Sequence, residues 1–244
     1  MFQHPFQQSL KYVCRSLVSG FLPLLLLSAC SPPVVPTQDS SLNTGLNRFS
    51  SFRLQNRATQ FGNGKSLVTG NNGAVYLSPV PFVTQGQDNT CGQAVMTMLL
   101  QYWDQEIDYQ TVVNENNPLN LGTSYEVVQT YLKSKGLTVN AFRDGSLENL
   151  LLELHQGHPV MALLDFGSLD REHYVLVVGY NARRNMLILH ESRSGPYVEI
   201  DAESFMQKWN NLPAVSLPIW GGSNYYRLMF SVSEGGSAAS NAVE

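Results

Sequence analysis

Val80-Pro-Phe-Val-Thr-Gln85-Gly-Gln-Asp-Asn-Thr-Cys91-Gly-Gln-Ala94 runs into an apolar stretch, Val95, Met98, Leu99 and Tyr102, that has the spacing of a buried helix. Asn89 or Thr90 is placed to cap that helix, so Cys91 falls at its N-terminus. A thiolate there gains from the positive end of the helix dipole and from unpaired backbone N–H groups. The Gln85 amide, six positions upstream, offers a second donor to a developing oxyanion. This segment predicts a cysteine nucleophile on a helix, and the rest of the chain supplies what such a nucleophile needs.

Downstream, Ser124 to Lys133 reads as a second helix stopped by Gly136, and Ser146 caps a third through Leu147, Leu150, Leu151 and Leu154 that ends near Gly157. After Pro159 the pattern turns to strands at 160–164, 174–178 and 186–189, with Asn181 to Asn185 as a hairpin turn. Tyr197 to Ile200 adds a strand, Ala202 to Trp209 a short helix, and Tyr225 to Phe230 a last strand. The expected fold class is α+β, a helical lobe carrying the cysteine packed on an antiparallel sheet carrying a histidine.

His173 opens the central apolar strand, where its imidazole can take the thiol proton and later protonate a leaving group. A third group should hold the ring. Glu191, at the end of the next strand, is expected level with His173 across the hairpin, with Asn181 and His190 as alternatives. His155 and His158 flank Gly157 and read as helix-end polarity. Cys91, His173 and His190 are all possible zinc ligands, but the chain has no Cys-x-x-Cys, His-x-x-x-His or His-Glu-x-x-His pairing; no metal and no cofactor are expected. Nor is there a Gly-x-Ser-x-Gly elbow for serine hydrolysis.

The chain has 244 residues, enough for one medium domain or two small ones and for a real core. Its charged fraction is only 14%, so Asn, Gln, Ser and Thr must supply much of the polar surface. With 15 basic against 19 acidic side chains and no basic cluster, nucleic acid is not an expected partner. Lys11 and Arg15 precede the apolar run Leu22 to Leu27, too short for a comfortable membrane span and followed by small residues. Leu27-Ser28-Ala29-Cys30 resembles a bacterial lipobox, which implies an exported lipoprotein cut before Cys30, lipidated on it and held to a membrane by acyl chains. Cys14 leaves with the signal and Cys30 takes lipid, so Cys91 has no disulfide partner in its own chain. The expected organisation is a signal peptide at 1–29, a flexible tether at 30–73, one domain at 74–232 and a disordered tail at 233–244 that includes Gly235-Gly236.

Around these residues the chain resembles the bacteriocin-leader peptidases, cysteine peptidase family 39 of the papain-like superfamily. The marks are Val80-Pro81-Phe82 leading to Gln85, Cys91-Gly92-Gln93-Ala94, Gly157-His158-Pro159-Val160, His173-Tyr174-Val175 through Gly179-Tyr180, and Phe205 to Trp209, over roughly residues 79 to 210. The resemblance implies a papain-like two-lobe fold, Cys91 as nucleophile, His173 as base, Gln85 as oxyanion donor and a peptide or protein as substrate. The family's Asn-Asp-Pro run is here His190-Glu191-Ser192. With no P-loop and no further apolar span, a free-standing peptidase domain is expected. A peptide-binding module of the same fold and a thioester-based acyl transferase are the alternatives.

Overall fold

The computed structural model describes residues 58–167, 172–210 and 226–235. The signal at 1–29, Cys30, most of the tether and the end of the tail from Gly236 lie outside them.

Nine strands form one antiparallel sheet among the described residues. In chain order they are β1 (Thr59–Gln60), β2 (Ser66–Thr69), β3 (Val75–Ser78), β4 (Leu137–Phe142), β5 (Val160–Asp165), β6 (Glu172–Asn181), β7 (Met186–Glu191), β8 (Gly195–Asp201) and β9 (Met229–Glu234). The helices are α1 (Cys91–Tyr102), α2 (Tyr109–Asn116), α3 (Tyr125–Ser134), α4 (Leu147–His155) and α5 (Ala202–Asn210). The α+β arrangement expected from the sequence is present, with the cysteine-bearing helix packed on the sheet strand that carries His173.

β6 organises the sheet because it is apolar on both faces and buried from His173 onward. One edge pairs with β5 along Glu172 to Val177 and then with β3 at Gly179 and Tyr180; the other edge pairs with β7. A Cβ on Gly179 would overlap the Val75 carbonyl oxygen, so glycine is what lets β3 approach. Gly179→Ala should cost about 1–3 kcal/mol of unfolding free energy, the usual range for overpacking, read as a lower urea midpoint at unchanged slope.

Ser124 accepts the Val127 N–H at 3.3 Å, and Ser146 forms a reciprocal capping box with Asn149, as their positions predict. The helix stops Gly136 and Gly157 have φ of 82° and 88°. The core gathers Met96, Leu99 and Leu100 of α1, Leu150 and Leu154 of α4, Leu176 and Val178 of β6, and Phe205 and Trp209 of α5, all fully buried. Trp209 Nε1 donates to the Leu228 carbonyl, which closes α5 onto the start of β9.

Several expectations are corrected. The segment expected as tether enters the sheet at Thr59, because β1 is pinned by pairing with β2 and β2 by pairing with β3 rather than by apolar content of their own. Strands therefore precede the first α-helix among the described residues. The last strand is Met229–Glu234, displaced from the expected 225–230; its Ser233 and Glu234, expected in the tail, pair with Thr138 and Leu137, and Tyr225 lies outside the described residues. α2 and β4 were not expected. α2 buries only Val112 and Val113 and depends on its Asp108 cap, which accepts the Thr111 N–H at 2.9 Å.

Candidate active site

Cys91 is the first residue of α1 and is buried, with no disulfide partner among the described residues. Thr90 occupies the N-cap position but does not cap: its hydroxyl donates to the Gln87 carbonyl, while Asn89, at φ 60°, donates its amide to the Asn120 carbonyl. The expected side-chain cap is thus absent, and the first-turn N–H groups are left to the site. The backbone amides of Gly92 and Tyr174 favour the charged form of the Cys91 sulfur.

His173 is the second residue of β6 and is hydrogen-bonded to Cys91. Its Nε2–H donates to Glu191 Oε1 at 2.6 Å, leaving Nδ1 for the thiol. The same carboxylate oxygen accepts the Arg193 backbone N–H at 3.0 Å. Phe166, missed from the sequence, sets its ring edge-on to the imidazole at 5.5 Å, and the Lys208 ammonium lies over that phenyl ring at 4.5 Å.

Hairpin geometry explains how Glu191 reaches His173. From the turn the pairs run Asn181 with Met186, Tyr180 with Leu187 and Gly179 with Ile188; then Val177 pairs with Leu189 and Leu176 with His190. Val178 is an extra residue, a β-bulge. Side chains alternate faces along a strand, so one inserted residue reverses the face of everything beyond it relative to the partner. With the bulge, Glu191 falls opposite Val175, on the face of His173 and one diagonal step away. The expectation that Glu191 sits level with His173 is corrected by two residues. A diagonal step of 7–8 Å between backbone positions suits the longer glutamate side chain.

The alternatives to Glu191 are engaged elsewhere. His190 faces the other way, donating Nδ1–H to the Pro81 carbonyl at 3.2 Å between the rings of Phe82 and Tyr197. Burial holds it neutral, with its pKa down to about 4 despite that hydrogen bond. Asn181 sits at the far end of β6, where its Oδ1 accepts the Arg184 N–H of the hairpin turn. His155 meets the Tyr180 hydroxyl at 2.9 Å and His158 the Glu153 carboxylate at 2.8 Å, helix-end roles as expected.

Burial pushes the Cys91 thiol up, but the His173 hydrogen bond and charge and the two backbone amides outweigh it and bring it below its ordinary value. Burial lowers His173, yet its hydrogen bonds to Cys91 and Glu191 and their charges raise it to about 9. Burial likewise raises Glu191, and the hydrogen bonds from His173, Ser194 and Arg193 carry it down to about 2. All three directions favour thiolate, imidazolium and carboxylate in a row, titrating as one coupled unit.

Gln85 lies half-buried in the extended segment before α1. Its backbone N–H donates to the Ser192 carbonyl at 3.1 Å, and its side-chain Nε2 donates to the Gln87 carbonyl at 3.0 Å. Among the described residues, its other amide N–H has no acceptor. The loop between α2 and α3 is tied to that turn, since Asn117 Nδ2 donates to the Asn89 carbonyl at 2.9 Å. Gly92 packs against it so closely that a Cβ would overlap Thr123. Leu119 and Leu121 of this loop are 76% and 66% exposed, an apolar pair on the loop tied to the turn before α1. Cys91, His173 and Glu191 are therefore brought together, with Gln85 joined to the same strand end, whereas Cys30 lies outside the described residues.

Residues 77–217 match the Peptidase_C39 like family. Among solved structures, the chain is similar to a C39-like peptidase from Bacillus anthracis at 19% identity and TM-score 0.48, over 66% of this chain and 98% of that one. It is also similar to a double glycine motif protease from an AMS/PCAT transporter, solved with the leader peptide, at 17% identity and TM-score 0.44, over 64% and 94%. A third is the peptidase domain of Streptococcus ComA, a bifunctional ABC transporter of a quorum-sensing pathway, at 16% identity and TM-score 0.45, over 63% and 97%. No curated protein sequence matches the chain.

Proposed function

The chain belongs to the Peptidase_C39 like family, and from that premise we propose that it is a cysteine peptidase that cleaves peptides or proteins through a thioester on Cys91. The observation that carries this reading is His173 set between the Cys91 thiol, whose charged form it favours, and Glu191, to which it donates at 2.6 Å. The thiolate attacks the scissile carbonyl carbon, and the carbonyl electron pair moves onto oxygen, where the first-turn N–H groups of α1 and the uncommitted Gln85 N–H receive it. His173 gives its proton to the departing amine. It then takes one from the water that hydrolyses the thioester, returning free thiolate and carboxylic acid. Leu119 and Leu121, on the loop tied to the turn before α1, offer an apolar surface to the substrate chain.

On the reading of Lys11, Arg15, the run Leu22 to Leu27 and Leu27-Ser28-Ala29-Cys30, the enzyme is an exported lipoprotein of the bacterial cell envelope, attached by acyl chains on Cys30. Intact-mass spectrometry tests both parts. Chain recovered from the producing cell should lack residues 1–29 and carry diacylglyceryl mass at its new N-terminus. The domain treated near neutral pH with an electrophilic peptide probe should gain one adduct, lost completely in Cys91→Ala. An adduct that survives in Cys91→Ala, or none at all, would reject the peptidase reading.

A further inference from the structure

We infer that Ser192 is a positioning residue for the oxyanion donor, its hydroxyl aiming the Gln85 amide so that the remaining N–H faces the reacting carbonyl. The inference rests on reading Cys91 as a peptidase nucleophile.

Ser192 is fully buried and follows Glu191 directly. Its Oγ–H donates to Gln85 Oε1 at 2.7 Å, and its carbonyl accepts the Gln85 backbone N–H at 3.1 Å. Residue 85 is therefore held by residue 192 through both main chain and side chain. The other end of the amide is fixed too, because Nε2 donates to the Gln87 carbonyl at 3.0 Å. That carbonyl also settles which atom is which: turning the amide over would set Oε1 against the Gln87 oxygen, two acceptors facing each other. With Oε1 on Ser192 and one N–H on Gln87, both ends of the planar group are held, and among the described residues one donor is left to give. Gln85 is only half-buried, and without the Ser192 hydroxyl its oxygen would turn to water and take the donor with it. Glu191 and Ser192 thus divide the work, one holding the acid–base group and the other holding the oxyanion donor.

Two small reagents separate these duties without knowledge of the natural substrate. With p-nitrophenyl acetate the Cys91 sulfur bonds to the carbonyl carbon, an oxyanion forms and collapses, and p-nitrophenolate leaves. With iodoacetamide the sulfur displaces iodide and no oxyanion arises. In Ser192→Ala the acylation rate should fall about tenfold while the alkylation rate stays within about twofold. In Gln85→Ala acylation should fall further, and Ser192→Ala added to it should change nothing more, because the hydroxyl acts only through Gln85. Equal slowing of both reagents, a full Ser192→Ala effect in the Gln85→Ala background, or a Ser192→Ala chain that does not fold would each overturn the proposal. So would a Gln85→Ala chain whose acylation is unchanged. Failure of the peptidase reading is distinguishable, since it appears in the unsubstituted protein as alkylation no faster than that of a free cysteine.

Discussion

Replacing His173 with alanine should slow alkylation of Cys91 at pH 7 by roughly 10²- to 10⁴-fold, the span expected when a positioned acid–base partner is lost. Cys91 is buried, and burial alone would lift its thiol above the ordinary range; the imidazole is the main group that reverses this. Without it the two backbone amides and the helix end remain, too little to hold a buried thiolate near neutrality. The shape of the pH profile matters as much as the rate. In the intact protein the reactive ion pair forms above the lowered thiol pKa and is lost as His173 gives up its proton near pH 9, giving a plateau between. In His173→Ala the plateau should vanish, with a single rise through the alkaline range. Iodoacetamide kinetics from pH 5 to 10 read both. Equal rates at pH 7 would mean that the two side chains touch without activating each other.

Glu191→Gln should lower peptide-probe acylation by about ten- to a hundredfold and move the alkaline limb to lower pH. The amide oxygen can still accept the Nε2–H bond, so the ring orientation survives, but the charge that helps raise His173 is gone. The sign follows: a less stabilised imidazolium loses its proton earlier, so the plateau shortens from its basic side. Glu191 itself is held down to about 2, so in the intact protein it stays ionised over the working range and adds no acidic limb of its own. An alkaline limb unchanged in Glu191→Gln would assign the elevation of His173 to Cys91 alone.

The parts of the fold legible in the sequence are those whose own side chains pay for their burial. The helix after Cys91 has a continuous apolar stripe, and the hairpin around Asn181 to Asn185 joins two apolar runs. β2 and β3 are mixed in polarity and owe their conformation to β6, through the opening at Gly179, which is a property of the sheet and not of the segment. β4 did carry a readable signal, the alternation of Leu137 and Val139 with exposed Thr138 and Asn140. In the site, Cys91, His173 and Glu191 stand out because few residue types can perform their chemistry. The capping role offered to Thr90 failed because its oxygen accepts the Tyr109 hydroxyl at 2.7 Å while its own hydrogen goes to the Gln87 carbonyl. Ser192 was invisible, since a serine acquires a duty only through the partner that the fold brings to it.

The bulge at Val178 means that the site is encoded in residue count as well as residue identity. Counted back from the turn of a regular hairpin, the residue sharing a face with His173 is Ser192, not Glu191. The single extra residue works like a frame shift in a text: it exchanges which of two adjacent letters is read by the histidine and which by the glutamine. A relative lacking that residue would need its carboxylate one place later to spell the same site, so aligned columns at 191 and 192 mean little until the hairpin has been measured.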